Sequence, residues 1–292
     1  MLNLVNNNLF YCKNKDTYPP FKNGFYLEEY ILDKVKNSNK IYDNNGRLYL
    51  PILWTNFQIE SWFSNHKEHM QRILDVYLHN NKNDAGYFTI VQYDDGPLLK
   101  LPENTIIYGA CSGMIPIPLI YEDRTNILEN IPKKTFSEKN ILCSFVGSVT
   151  HGVRHIVNNK FYGKKDFAIN PTSGWTPNVS ADKQSNFINL TVNSKFALAP
   201  RGYGRSSFRF FEIFKLGTIP IYVWDDIEWL PYKEKFDYST FCISINIKDI
   251  DKLENILNTI DENRYNIMLE EYNKIKYIFS LDYLHKYIFH NH

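Results

Sequence analysis

The chain has 292 residues, more than one hydrophobic core usually organises, so two lobes or one large α/β unit are expected. Its 33 Lys and Arg against 32 Asp and Glu leave a formal charge of +1, which argues against a nucleic-acid coat or a polybasic membrane anchor but leaves room for a local anion site. Hydrophobic residues at 43% and aromatics at 16% exclude a disordered chain.

No apolar run reaches the roughly 18–20 residues that a membrane helix needs, so no integral membrane segment is expected. The start, MLNLVNNNLFYCKNKD, lacks the basic and apolar regions of a signal peptide, and a soluble, unexported protein is the expectation. Cys12, Cys111, Cys143 and Cys242 lie far apart, with no CxxC or Cys/His cluster. A zinc site or dense disulfide frame is therefore disfavoured, and the last three read as small core hydrophobes.

In chain order, Asn44-Asn45-Gly46 reads as a turn before the apolar strand LYLPILW, and residues 61–80 carry helical apolar spacing with Ser61 as N-cap. GYFTIVQYDDGP is a strand ending in an acidic turn, and TIIYGA is another strand. The Pro-punctuated polar stretch 116–140 places a lobe boundary near residue 138, giving lobes 1–138 and 139–273, with a tail helix over 274–292 packing back on the first. The second series is strand (ILCSFVGS), helix (HGVRHIVNNKF), helix and strand (NFINLTVNSKFALAP), helix (SSFRFFEIFKLG), strand (TIPIYVWDD) and aromatic tail helices. Alternation of this kind implies α/β layering.

The densest chemistry lies in SKFALAPRGYGRSSFRFFEIFKLGTIPIYVWDDIEWLPY, residues 194–232. A strand aims at a glycine-containing, doubly cationic loop, in which Gly202 and Gly204 permit close backbone approach. Ser206 or Ser207 caps the following helix, whose free N–H groups favour an anion. Arg209 and Glu212 share one face of it, and Phe208, Phe211 and Phe214 occupy the other as core. The pattern suits a phosphate or diphosphate. It is neither a P-loop nor a dinucleotide fingerprint, so NAD dependence is disfavoured.

LAPRGYGRSSFRFFE followed by GTIPIYVWDD closely resembles the exostosin family, family 47 of the glycosyltransferases. YFTIVQYDDGP, CSGMIPIPL and ILCSFVGSVTHGVRH match further family segments in the same order, so the resemblance spans about residues 87–238. It implies an α/β fold of GT-B type, two Rossmann-like lobes facing a cleft, with the donor on the C-terminal lobe and the acceptor on the N-terminal one. The implied activity is inverting transfer of a sugar from a nucleotide-sugar, generally UDP-linked, to a hydroxyl of a glycan or glycoconjugate. No cofactor or catalytic metal is expected beyond the UDP-sugar co-substrate, and no nucleic-acid partner.

Inverting transfer needs a base for the acceptor hydroxyl and a stabiliser for the departing phosphate. Arg209 and Arg154 are the first choices for the diphosphate, because each offers a planar fork matched to phosphate oxygens. Arg201, Gly202, Arg205, Ser206 and Ser207 would assist, and Gly147 and Ser148 of FVGS belong to the same expected donor site. Arg201 can also serve loop folding alone, and Tyr203-Gly204 stand where animal members carry more basic residues. Glu212 would orient Arg209 or bind ribose hydroxyls. Asp94 matches the family's Asp-x-Gly-Pro turn and is the candidate base, with Asp95 as its alternate; an ordinary turn is the competing reading. Asp225-Asp226 and Asp249/Asp251 look like metal signatures but are discounted, and His151 and His155 read as structural or solvated. Tyr222 and Trp224 border the donor pocket or belong to the core. Animal and plant relatives carry a membrane anchor and lumenal disulfides; their lack here makes a cytoplasmic enzyme the expectation. The rival is a catalytically silent nucleotide- or carbohydrate-binding module of the same fold.

Overall fold

The computed structural model describes residues 2–172 and 174–290. In chain order its elements are α1 (Leu27–Ser38), β1 (Leu48–Tyr49), α2 (Trp54–Gln58), α3 (Phe63–Asn80), β2 (Tyr87–Val91), β3 (Thr105–Gly109), β4 (Ile115–Pro116), β5 (Ile141–Ser148), α4 (Gly152–Phe161), β6 (Phe167–Thr172), α5 (Ala181–Val192), β7 (Ser194–Pro200), α6 (Phe208–Lys215), β8 (Ile219–Trp224), β9 (Ile243–Asn246), α7 (Leu253–Asn258), α8 (Glu262–Ile275) and α9 (Leu281–Phe289). Two compact units result: the second holds Thr17–Asn23 and Asp123–Tyr277, and the first holds the rest of the described chain. Among the described residues no helix is long and apolar enough to cross a membrane.

In the first unit β1, β2, β3 and β4 lie side by side, all parallel. Strand β2 is buried along its whole length, as a strand inside a parallel sheet must be, which explains its unbroken apolar sequence YFTIV. Trp54, Phe57, Met70, Leu74 and Val91 form the centre of this unit's core. Helix α3 begins at Phe63 with Trp62 as N-cap and no capping side chain, so Ser61 does not cap it. The first N–H groups of that helix turn to backbone carbonyls instead, Phe63 to Glu60 and Asn65 to Trp62, each at 3.1 Å. Helix α9 belongs to this unit: the Phe289 ring meets Tyr49 and Phe88 at 5.8 and 5.3 Å, and Asp282 accepts from Tyr30 at 2.7 Å and pairs with Lys34 at 3.0 Å.

The second unit is a five-stranded parallel sheet in the order β6-β5-β7-β8-β9. Counted within the unit this is 2-1-3-4-5, so the winding direction reverses between β5 and β7. In open α/β sheets a ligand crevice forms outside the carboxyl ends of the strands at that switch. The core runs through Phe145, Val157, Phe161, Phe196, Ile221 and Tyr265. Helix α6 is capped by Ser207, whose hydroxyl accepts from the Arg209 N–H, and stops at Gly217, whose φ of 70° is costly for any residue with a Cβ. Phe211 and Phe214 are core as expected, the latter stacked 3.8 Å from Tyr272. Phe208 is only half-buried, because its position in the first turn turns the ring toward Tyr18. Cys111 and Cys12 in the first unit and Cys143 and Cys242 in the second form no disulfide, and all but Cys12 are buried.

The units divide at Glu122/Asp123, earlier than the sequence boundary near residue 138. The intervening stretch is tied to the second unit: Lys134 Nζ donates to Asn193 at 2.6 Å, and the Phe136 ring packs 5.2 Å from Tyr265. Lys139 is 3% exposed, its ammonium donating to the Val192 carbonyl and the Thr218 hydroxyl, each at 2.9 Å. Thr17–Asn23 is held to the same unit by Thr17, which donates to the Pro177 carbonyl at 3.1 Å, and by the Phe21 ring, 5.9 Å from Phe187.

Candidate functional site

A pocket opens in the second unit where the winding reverses. Gly147 and Ser148 at the end of β5 and Pro200 at the end of β7 form its floor. Arg154 from α4, and Ser207 and Arg209 from the start of α6, line one part of it; Trp175 and Lys183 from the β6–α5 loop and α5 line another, together with Tyr18. Among the described residues, three cationic side chains and no acid line this wall.

Arg154 bridges the ends of the two switch-point strands. Its Nε donates to the carbonyls of Pro200 (3.3 Å) and Arg201 (3.1 Å), and Nη1 to the Ser148 carbonyl (3.0 Å). Those bonds fix the plane of the guanidinium. Gly202 lies against Nη2, where a Cβ would approach to 3.1 Å. Arg209 lies over the Phe187 ring, 3.8 Å from its centroid, and its Nη1 pairs with Glu212, a carboxylate only 2% exposed. Glu212 holds Arg209 from outside the residues that line the pocket. The N-terminus of α6 adds its partial positive charge beside the two arginines.

Of the residues singled out in the sequence, Gly147, Ser148, Arg154, Ser207 and Arg209 meet in this pocket, while Arg201, Arg205 and Ser206 do not line it. Arg201 Nη1 bonds Asp225 (2.8 Å) and Asp226 (2.7 Å), and its Nη2 donates to the Tyr203 carbonyl at 2.7 Å. Arg205 Nε donates to Asp226 at 2.7 Å. Because Pro200 pairs with Val223, the loop after β7 runs beside the end of β8, and the two arginines brace it there. Burial raises the Asp226 carboxyl, but the Ile227 N–H and the Arg205 and Arg201 charges outweigh it and hold the group down at about 2. Asp225 and Asp226 are thus occupied by arginines, Asp249 by Lys252 and Asp251 by Lys160. Among the described residues no group of three or more His, Cys, Asp or Glu is arranged to hold a metal ion.

His151 caps α4, its Nδ1 accepting from the Val153 N–H at 3.3 Å. Burial, then the Arg201 charge, lowers its pKa. His155 is exposed. Tyr222 is 2% exposed, its hydroxyl donating to the Arg205 carbonyl at 2.6 Å, and Trp224 Nε1 donates to Ser244 at 3.1 Å; neither lines the pocket.

Asp94 and Asp95 lie in the first unit, exposed in the turn after β2. Gly96, at φ 77°, closes that turn through its N–H to the Tyr93 carbonyl, and Gln58 staples it by donating to the Gly96 carbonyl (2.9 Å) and accepting from Leu98 N–H (2.7 Å). Glu28, 1% exposed, fastens the start of the turn: it accepts from Gln92 N–H (2.6 Å), Thr55 N–H (2.9 Å) and the Thr55 hydroxyl (2.8 Å). Burial pushes its carboxyl up to about 7 against the pull of those three donors. Sequence reasoning missed Glu28, Tyr18, Trp175 and Lys183. Glu28 differs from its neighbour Glu29 only in facing inward.

Comparison with known proteins places these features in a family. The model of the Exostosin GT47 domain matches residues 102–260, which include β5 to β9 and the whole cationic part of the pocket. Three probable glycosyltransferases of Arabidopsis thaliana are similar to this chain. One is 22% identical over 274 residues, covering 88% of this chain and 49% of that protein. Another is 26% identical over 156 residues (48% and 32%), and a third 22% identical over 219 residues (70% and 44%). The chain spans about half, or less, of the length of these relatives. With a matched region that covers more than half of its length and contains the switch-point pocket, the chain belongs to the exostosin GT47 family.

Proposed function

We propose that the chain is a glycosyltransferase that moves a sugar from a UDP-sugar to a hydroxyl of a glycan or glycoconjugate, with inversion at the anomeric carbon. The observation that carries this is the cationic pocket at the sheet's switch point, where Arg154, Arg209 and the N-terminus of α6 converge. That chemistry suits the diphosphate of a leaving nucleotide.

In the proposed reaction Asp94, or Asp95 beside it, takes the proton of the acceptor hydroxyl. The oxygen attacks the anomeric carbon from the face opposite the nucleotide, and the bond to the β-phosphate oxygen breaks with its electron pair passing to the phosphate. The two guanidiniums and the helix dipole stabilise the charge that develops there, the task for which metal-independent transfer requires fixed cations. A GT-B arrangement is part of this proposal, supported by the fact that each unit builds its own parallel sheet.

The test is calorimetry of the purified protein with UDP, GDP, ADP and CMP, with and without EDTA, followed by turnover of UDP-sugars. Selective UDP binding that survives EDTA, with acceptor-dependent release of UDP, is the expected result. UDP binding without turnover on any acceptor would leave a silent binding module, and no nucleotide binding would remove the donor site.

A further inference from the structure

The pocket wall away from Arg154 and Arg209 is aromatic. Trp175 is 54% exposed although it lines the pocket, and the Tyr18 ring stands against it edge to face, with centroids 5.5 Å apart at 72°. Tyr18 is itself backed by Phe208 in a second edge-to-face contact at 5.9 Å. The tilt between Tyr18 and Trp175 means the two rings cannot sandwich a third between them. Trp175 is braced instead by the edge-to-face contact of a tyrosine that the Thr17–Asn23 segment contributes to this unit.

We infer that Trp175 is the platform on which the nucleobase of the donor stacks, and that Tyr18 positions it. The inference rests on the donor reading above and deepens it. The base is tied to the diphosphate through the ribose, and both rings and both arginines line one pocket of one unit. A pocket that joins fixed cations to an open aromatic face matches a nucleotide, whose phosphates and base require those two chemistries. An indole face binds any base through its π surface, so Trp175 contributes affinity and not the choice among bases.

The test compares UDP, UMP, uridine and inorganic diphosphate as ligands of the full chain and its variants by calorimetry. Trp175→Ala is expected to weaken UDP and UMP alike, by roughly five- to a hundred-fold, and to leave inorganic diphosphate unchanged. Arg209→Ala is expected to weaken UDP and inorganic diphosphate while sparing uridine. Trp175→Phe keeps a π face, so its UDP affinity should stay within a few-fold of the parent, while the UDP-induced change in tryptophan fluorescence is lost. An unchanged UDP affinity in Trp175→Ala overturns the inference, as does an equal loss for inorganic diphosphate. A loss seen only with UDP-sugars, not with UDP, would assign the indole to the sugar and also overturn it. If the folded parent binds none of the four ligands, the donor reading fails, and with it this inference; if the parent binds UDP and the tryptophan variant does too, only the inference fails.

Discussion

Gly202 and Arg154 are packed against each other: a Cβ on Gly202 would come within 3.1 Å of Nη2 and 3.6 Å of Cζ. Arg154 has little room to retreat, because Nε and Nη1 are already engaged with three backbone carbonyls. Gly202→Ala should therefore displace the guanidinium by a few tenths of an ångström. The expected outcome is a several-fold loss of UDP affinity with little change in melting temperature, measured by calorimetry beside a thermal melt. Unchanged UDP affinity would mean that Arg154 is not a donor contact.

Arg209→Ala should weaken UDP binding by roughly ten-fold or more, the order expected for charge-assisted hydrogen bonds, and lower turnover further. Arg209→Lys should not restore it, since an ammonium lacks the planar fork and leaves the Glu212 pair and the Phe187 face poorly matched. Recovery of parental UDP affinity by the lysine variant would count against a bidentate phosphate contact.

Asp94→Asn should leave UDP affinity unaltered and reduce transfer by about two to four orders of magnitude, because a general base acts in the transition state. Steady-state kinetics on whichever UDP-sugar and acceptor the turnover screen identifies check this. Full activity in that variant moves the role to Asp95, whose Asn variant is then the one to lose transfer.

Glu28→Gln replaces a carboxyl group that serves three donors through both oxygens. One donor is then left facing an NH2 group, at a cost of about 1–3 kcal/mol for a buried unsatisfied partner. Urea unfolding should show a lowered midpoint with an unchanged slope; an unchanged midpoint would mean that the network contributes nothing to stability.

Lys139 gives a pH signature. Burial, aided by the Lys134 charge, lowers its pKa to about 8, below the ordinary lysine value of about 10.4. The charged form is thus penalised on folding. The penalty is complete below pH 8, shrinks as pH rises from 8 toward 10.4, and is gone above, so this group makes the protein gain stability across that window. Lys139→Met should lack that gain. Urea midpoints of the two proteins compared from pH 7 to 9.5 should differ in slope, and parallel curves would contradict the assignment.

The sequence was most legible where local pattern and resemblance coincide. The strand–loop–helix–strand run from β7 through α6 to β8 lies where FALAP, SSFRFFEIFKLG and TIPIYV place it, because its apolar periods, its Ser207 cap and its Gly217 stop all agree. Strand β6 escaped notice: FAINPT is half-exposed and carries a proline, which an edge strand tolerates and a central one does not. The Arg201–Asp225 and Arg205–Asp226 pairs were hidden by separation in sequence, although both acids follow a strand hydrogen-bonded to the one before the arginines. Tyr18 could not be read at all, since nothing in TYPPFKN marks it as belonging with residues far along the chain.

That short segment has a consequence for dissecting the protein. The backbone changes unit at 16/17, at 23/24, at 122/123 and again at 277/278, so no single cut releases either unit whole. A fragment beginning at Asp123 would lose Tyr18 from beside Trp175 and Phe21 from beside Phe187, and would carry α9 without the Tyr49 and Phe88 rings that bury Phe289. Limited proteolysis that nicks the chain near residue 123 should leave the pieces associated, because each piece carries a segment of the other's unit.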